Sequence, residues 1–152
     1  MKSLISIIVL SLILTNCGFK PIYNSNNSNF EIIEIVNKNE NKNSFFIEKT
    51  IMSLSNKDAE NKVKLEIDYE QSISTILKDS KGDPSKKKLF INVILKVKND
   101  KDNILINQRF DEEFSYDVQS DKFGMSQYEE NITDNLNSKI SNDIIFLLGT
   151  LK

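Results

Sequence analysis

The 152-residue sequence contains no histidine, no tryptophan and a single cysteine. Each absence removes a class of chemistry. Without imidazole there is no histidine general base, no Ser-His triad and no histidine-based metal site. One cysteine cannot close a disulfide within the chain. The four glycines are scattered, so no glycine-rich phosphate loop is present. Nor is there an excess of positive charge. Twenty basic residues face 22 acidic ones, which argues against nucleic acid as a partner, because that needs a basic footprint. The remaining carboxylates give weak catalytic signals. Asp111, Glu112 and Glu113 would have to converge for glycoside hydrolysis, and strand alternation sends Glu112 to the face opposite Asp111 and Glu113. Asp100, Asp102 and Asn103 lack the spacing, the glycine and the terminal glutamate of an EF-hand loop. The expectation is a non-enzymatic protein without metal or cofactor.

What is present begins at the N-terminus. Lys2 precedes an apolar run from Leu4 to Leu14, broken only by Ser6 and Ser11. Eleven residues are too few to span a bilayer as a helix and match a signal-peptide core. The run leads through Leu14-Thr15-Asn16 into Cys17, the only cysteine. A leucine three residues before a cysteine resembles a bacterial lipobox, with Asn16 where that pattern usually has a small residue. The resemblance implies a diacylglyceryl group on Cys17, cleavage before it and acylation of the new amine. Two or three acyl chains anchor stably where one binds marginally. Gly18 rather than aspartate follows the cysteine, which by resemblance to enterobacterial sorting implies the outer membrane. The expected organisation is a lipoprotein signal peptide over 1–16, a lipidated cysteine and flexible tether over 17–29, and one domain over 30–152. Removing 1–16 leaves 19 basic against 22 acidic residues, a formal charge of −3.

Within the domain, hydrophobic periodicity sets the elements. Phe30 to Val36 is a short β-branched run and reads as strand one. Ser44 to Ser55 places Ile47, Ile51 and Leu54 at helical spacing, with Asn43 or Ser44 as N-cap. Val63, Leu65, Ile67, Tyr69, Ile73, Thr75 and Leu77 then alternate with Lys64, Glu66, Asp68, Glu70, Ser72 and Ser74. This predicts a long strand two with one apolar face, broken at Gln71. A turn-rich loop over 79–87 contains Gly82, Asp83 and Pro84. Strand three follows over 88–98 with Leu89, Ile91, Val93, Leu95 and Val97 on one face. Strand four follows over 104–118 with Ile104, Ile106, Phe110, Phe114, Tyr116 and Val118 inward. A polar loop over 119–125 precedes Ser126-Gln127-Tyr128-Glu129, a capping-box pattern. Tyr128, Ile132, Leu136, Ile140, Ile144 and Leu147 or Leu148 recur at helical spacing up to a Gly149 C-cap. Glu130, Asp134, Asn137, Ser138, Ser141 and Asn142 are expected on the opposite, solvent face.

The order is β-α-β-β-β-α. Strands two to four suit a three-stranded antiparallel meander, and strand one, reached through a helix, should run parallel to strand two. With two helices on one face, the expected fold is an α+β two-layer sandwich on a four-stranded mixed sheet.

The opening Cys17-Gly18-Phe19-Lys20-Pro21-Ile22-Tyr23, together with this element order, resembles the alphaproteobacterial type of the LPS-assembly lipoprotein family LptE. The resemblance implies a lipoprotein anchored in the outer membrane. Its domain would lie on the periplasmic side, inside the lumen of an LptD-like β-barrel that it plugs and helps to assemble. It also implies contact with lipopolysaccharide and no catalysis. In that family basic residues near the end of strand two and in the loop before the last helix are tied to LPS binding. Lys78 and Lys122 fall at those places. The cluster Lys78, Lys81, Lys86, Lys87 and Lys88, on a chain that is acidic overall, is therefore a candidate site for lipid A phosphates, against the plainer reading of solvated lysines. A periplasmic accessory lipoprotein of another envelope lipid-transport complex is the competing function.

Overall fold

A computed structural model describes residues 28–151. The expected signal segment, Cys17 and all of the tether except Ser28 and Asn29 lie outside the described residues. The elements are β1 (Phe30–Asn37), α1 (Lys42–Met52), β2 (Asn61–Lys78), β3 (Pro84–Asn99), β4 (Ile104–Asp117) and α2 (Lys122–Leu148). They form one sheet in the order β1-β2-β3-β4. β1 runs parallel to β2, and the other pairs are antiparallel. The fold is the expected α+β arrangement.

The period of two decides the core. Val63, Leu65, Ile67 and Tyr69 of β2 and Leu89, Ile91, Val93, Leu95 and Val97 of β3 are buried. They share one cluster with Ile47 and Ile51 of α1 and with Ile132, Leu136, Ile140, Ile144 and Leu148 of α2. Both helices therefore cover the same face, and they also pack on each other. Each large aliphatic side chain fully buried here contributes about 2–3 kcal/mol by removal of apolar area from water.

Both helices start earlier than the sequence suggests. The N-cap of α1 is Asn41, not Asn43 or Ser44. Its side-chain oxygen accepts from Asn43 N and Ser44 N, each at 2.9 Å, while Ser44 Oγ accepts from Asn41 N at 2.9 Å. This reciprocal box satisfies three backbone donors and outcompetes a later start. α2 is capped by Asp121, whose carboxylate accepts from Phe123 N at 3.1 Å, so the expected loop over 119–125 is largely helix. Gly124 leaves the room this needs. A Cβ there would sit 2.5 Å from Asp121 Oδ2. Ser126 is thus an interior residue of α2.

Two further expectations change. Asn137 and Ser141 are buried rather than solvent-facing. With Thr133 they line one flank of α2 at a spacing of four, and the pairing with α1 widens the covered arc beyond the apolar stripe. Asn137 Oδ1 accepts from the Tyr69 hydroxyl at 3.1 Å. Ile104 is exposed, because the register slips between Val97 and Lys98 and places it opposite Lys98.

Candidate functional site

The two hairpin turns are built alike. Asp79 Oδ1 accepts from Lys81 N and Asp83 N, and Asn99 Oδ1 accepts from Lys101 N and Asn103 N. The fourth residue of each turn has positive φ: Gly82 at 89° and Asp102 at 64°. Glycine takes that conformation without strain. These turns mark opposite ends of the molecule. The chain enters at the Asn99–Asn103 end, where Ser28 Oγ donates to Leu54 O at 2.5 Å and Asn61 Nδ2 donates to Asn29 O at 3.1 Å. The last two residues of the expected tether are thus held against the domain. The Asp79–Asp83 turn lies at the far end of β2, roughly 55 Å of extended strand away.

That far end carries the candidate lysines, but not as one loop cluster. The turn closes within Asp79–Asp83 and β3 begins at Pro84, so Lys86, Lys87 and Lys88 are strand residues that alternate in direction. Lys87 lies opposite Tyr116, on the helix side, where its Nζ sits 3.3 Å from Glu129 Oε1. Tyr116 OH donates to the same oxygen at 2.6 Å. Burial, then the Glu129 carboxylate beside it, pushes the Tyr116 phenol well above its usual range. Lys88 faces the opposite side and pairs with Glu113 at 3.0 Å. Lys78, at the end of β2, Lys81, in the turn, and Lys86, opposite Leu77 and Asp117, form no ion pair among the described residues.

Lys122 is the first residue of α2 and not a loop residue. With Lys87, Ser126 and Glu129 it lines a cleft of about 640 Å³ between the Pro84 end of β3 and the start of α2. The structure therefore brings Lys87 and Lys122 together and leaves Lys78, Lys81 and Lys86 around the turn. A helix N-terminus favours anions through its unsatisfied N–H groups and dipole. Beside these cations, Ile73, Ile76, Leu77, Phe114 and Phe123 are exposed. Cations next to open apolar side chains suit an anionic amphiphile. No local sequence pattern points to the Tyr116–Glu129–Lys87 cluster, since only the β3–β4 register and the helix position create it.

The sheet face away from the helices has a different character. Lys64 pairs with Asp102 at 2.9 Å, Lys98 with Glu66, and Arg109 with Asp111 at 2.8 Å. Asn92 Nδ2 donates to Asp111 Oδ1 at 2.7 Å. The neighbouring cations hold the Glu66 and Asp102 carboxyls below their usual range. Glu112 points to the helix side and pairs with Lys139 of α2 at 2.7 Å. Among the described residues, no group of three or more Cys, Asp or Glu side chains is placed to hold a metal ion.

No family model matches the sequence, and comparison with curated protein sequences gives no match. Solved structures do match. Rare lipoprotein B from Shewanella oneidensis superposes with a TM-score of 0.61 at 12% identity, over 79% of this chain and 94% of that one. Lipoprotein B from Nitrosomonas europaea gives 0.60 at 12% identity, over 84% and 87%. A minor lipoprotein from Acinetobacter baumannii gives 0.60 at 9% identity, over 84% and 92%. At these identities the likeness is one of fold, and this chain has the fold of those lipoproteins over nearly their whole length.

Proposed function

We propose that this chain is an outer-membrane lipoprotein, anchored through Cys17, that plugs and helps to assemble an LptD-like β-barrel and contacts lipopolysaccharide during its delivery to the outer leaflet. The observation that carries this reading is the fold held in common with bacterial rare and minor lipoproteins. Leu14-Thr15-Asn16-Cys17 adds an anchor signal of the matching kind. Two features of the geometry support the finer reading. The ion-paired outer face of the sheet suits the polar lumen of a barrel. The end remote from the chain entry combines Lys78, Lys81, Lys86 and Lys122 with exposed Ile73, Ile76, Leu77 and Phe123. The lysines would meet lipid A phosphates as point charges, and the apolar side chains would meet its acyl chains. Lys87 and Lys88, already engaged by Glu129 and Glu113, would contribute less.

Affinity purification of the tagged chain from solubilised membranes tests the assignment. A large β-barrel protein in one-to-one amount is the expected result. Recovery of an ABC-type inner-membrane complex instead would assign the chain to another envelope lipid-transport machine. Recovery of neither would remove the translocon reading.

A further inference from the structure

Gln71 interrupts the apolar face of β2 just past the point where β1 ends. Three elements hold its amide. Asn43 Nδ2 of α1 donates to Gln71 Oε1 at 2.8 Å, the Tyr69 hydroxyl lies 3.1 Å from the same oxygen, and Gln71 Nε2 donates to Thr133 Oγ1 of α2 at 3.4 Å. Behind this layer the Tyr69 hydroxyl also reaches Asn137 Oδ1, and Asn137 Nδ2 is buried with no hydrogen-bond partner among the described residues. Tyr69 and Asn137 are only 2% and 1% exposed. Polar groups buried this deeply cost stability unless their bonds are made, and an orphaned one calls for an explanation. Asn43, Tyr69 and Gln71 line a cleft of about 620 Å³, a size within the roughly 300–1,000 Å³ of small-ligand sites. The cleft wraps the uncovered edge of β2. Lys38 N–H makes the last backbone bond across from β1, to the Ile67 carbonyl, so the period of two leaves the N–H and C=O of the exposed Gln71 on the open edge. Around that edge, Glu70, Ser72 and Phe90 line the side away from the helices, with Phe90 opposite Ser72 on β3.

The lining selects the class of ligand. Six of the eight residues around the cleft are polar, which disfavours an acyl chain. An anion is disfavoured as well. The Asn41 side chain already accepts from Asn43 N and Ser44 N at the start of α1, Lys42 is engaged by Glu130, and the Glu70 carboxylate forms no ion pair among the described residues. We infer that this cleft binds a neutral saccharide. The Asn43 and Gln71 amides and the Ser72 hydroxyl each offer both a donor and an acceptor, and Glu70 offers acceptors only. Sugar hydroxyls, which donate and accept at once, match that set. The flat C–H face of a pyranose ring fits against the Phe90 ring by dispersion. The bonds from α1, β2 and α2 hold the Gln71 amide in place before any ligand arrives, which lowers the ordering cost of binding. The site is separate from the lysine-bearing end and does not depend on the translocon reading.

Two probes test this by NMR titration of the full chain in detergent: the lipid-free, dephosphorylated oligosaccharide of lipopolysaccharide, and chitotetraose, a neutral N-acetylglucosamine tetramer. At least one is expected to shift the side-chain amide signals of Asn43 and Gln71 saturably, with an affinity that stays flat as salt rises. Shifts with the first alone identify the sugars of lipopolysaccharide as the source, and shifts with the second alone identify an N-acetylated glycan. Either result upholds the site. Gln71→Leu continues the apolar face of β2 and should keep the fold while weakening binding about tenfold. Asn43→Ala, one side chain away, should act in the same direction. Replacing Lys78, Lys81, Lys86 and Lys122 by Ser should leave saccharide binding unchanged. No shift at Asn43 and Gln71 with either probe overturns the inference, whatever the lysine-bearing end binds. Shifts that persist in Gln71→Leu at unchanged affinity overturn the site, and binding that falls steeply with salt overturns the ligand class. The titration uses the unaltered chain, so it decides the matter even if a variant fails to fold.

Discussion

The two halves of β2 share one alternation as far as Thr75, where a bulge at Ile76 breaks it, and they meet opposite fates. From Val63 to Tyr69 the apolar residues are buried beneath α1 and α2, with Leu65 and Ile67 at 0% exposure. From Ile73 to Leu77 they stay open, at 45% and 56%. A period of two states which residues share a face, but not whether anything lies on it. Cover depends on where the other layers end. β1 stops opposite Ile67, and α1 begins beside Gln71, where Asn43 Nδ2 donates to Gln71 Oε1 at 2.8 Å. One half of the strand is therefore scaffold, and the other is surface available for contact.

The contrast can be broken most forcefully in the core. Leu65→Ala or Ile140→Ala should cost about 2–5 kcal/mol in urea unfolding, whereas Ile73→Ala should change stability by less than about 0.5 kcal/mol. Equal losses at Leu65 and Ile73 would mean that the helix layer covers the whole strand.

Alkaline pH should strike the covered half next. Burial pushes the Tyr69 phenol up to about 12, against hydrogen bonds with Asn137 and Asn43 that pull it down. In the unfolded chain the phenol titrates near 10. The folded state thus holds the proton more tightly, and its stabilising share is complete below pH ~10 and lost as pH rises toward ~12. That loss is roughly 2–3 kcal/mol. Tyr69→Phe should lose less stability between pH 9 and 12 than the unaltered chain, with the remaining loss coming from Tyr116 and other groups. An identical pH profile for Tyr69→Phe would show that its phenol is not held in the core.

Smaller effects should mark the ends of the elements. Asp121→Ala removes the α2 cap and should cost about 1 kcal/mol. Gly82→Ala forces an L residue into positive φ and should cost on the order of 1 kcal/mol. Both can be followed by thermal melting, and no loss at Gly82 would mean that the turn readjusts freely. The smallest stability change belongs to the lysines. Replacing Lys78, Lys81, Lys86 and Lys122 together by Ser should leave the free energy of urea unfolding within about 0.5 kcal/mol. The same variant should bind lipopolysaccharide more weakly and with a flatter salt dependence, because exposed charge contacts are screened. Unchanged affinity and salt slope would reduce these lysines to solvated surface.

The sequence was legible where a pattern was long and its alternatives poor. Val63–Tyr69, Leu89–Val97 and the Ile132–Ile144 stripe each admit one period, and the α+β order follows from them. It was less legible where several residues compete for one local role. Asn41, Asn43 and Ser44 are all good caps, and the choice fell to the residue whose hydrogen bonds close a reciprocal box. Asp121 won over Ser126 because Gly124 leaves space for its carboxylate. Asn137 and Ser141 look like solvent residues until α1 covers that flank. Lys86 to Lys88 look like a loop cluster until the turn at Asp79–Asp83 closes and strand alternation separates them. The pairing of Lys87 with Glu129 depends on tertiary placement, which no local pattern encodes.

The most direct test of this account uses a photo-crosslinking residue placed at Lys81, in the Asp79–Asp83 turn, and in a second variant at Asn103, at the opposite end. Both are exposed loop positions, so neither should disturb the fold. Irradiation in cells is expected to give a lipopolysaccharide adduct from position 81 and none from position 103. Adducts from position 103 alone, or equal adducts from both, would contradict the assignment of lipopolysaccharide contact to the lysine-bearing end.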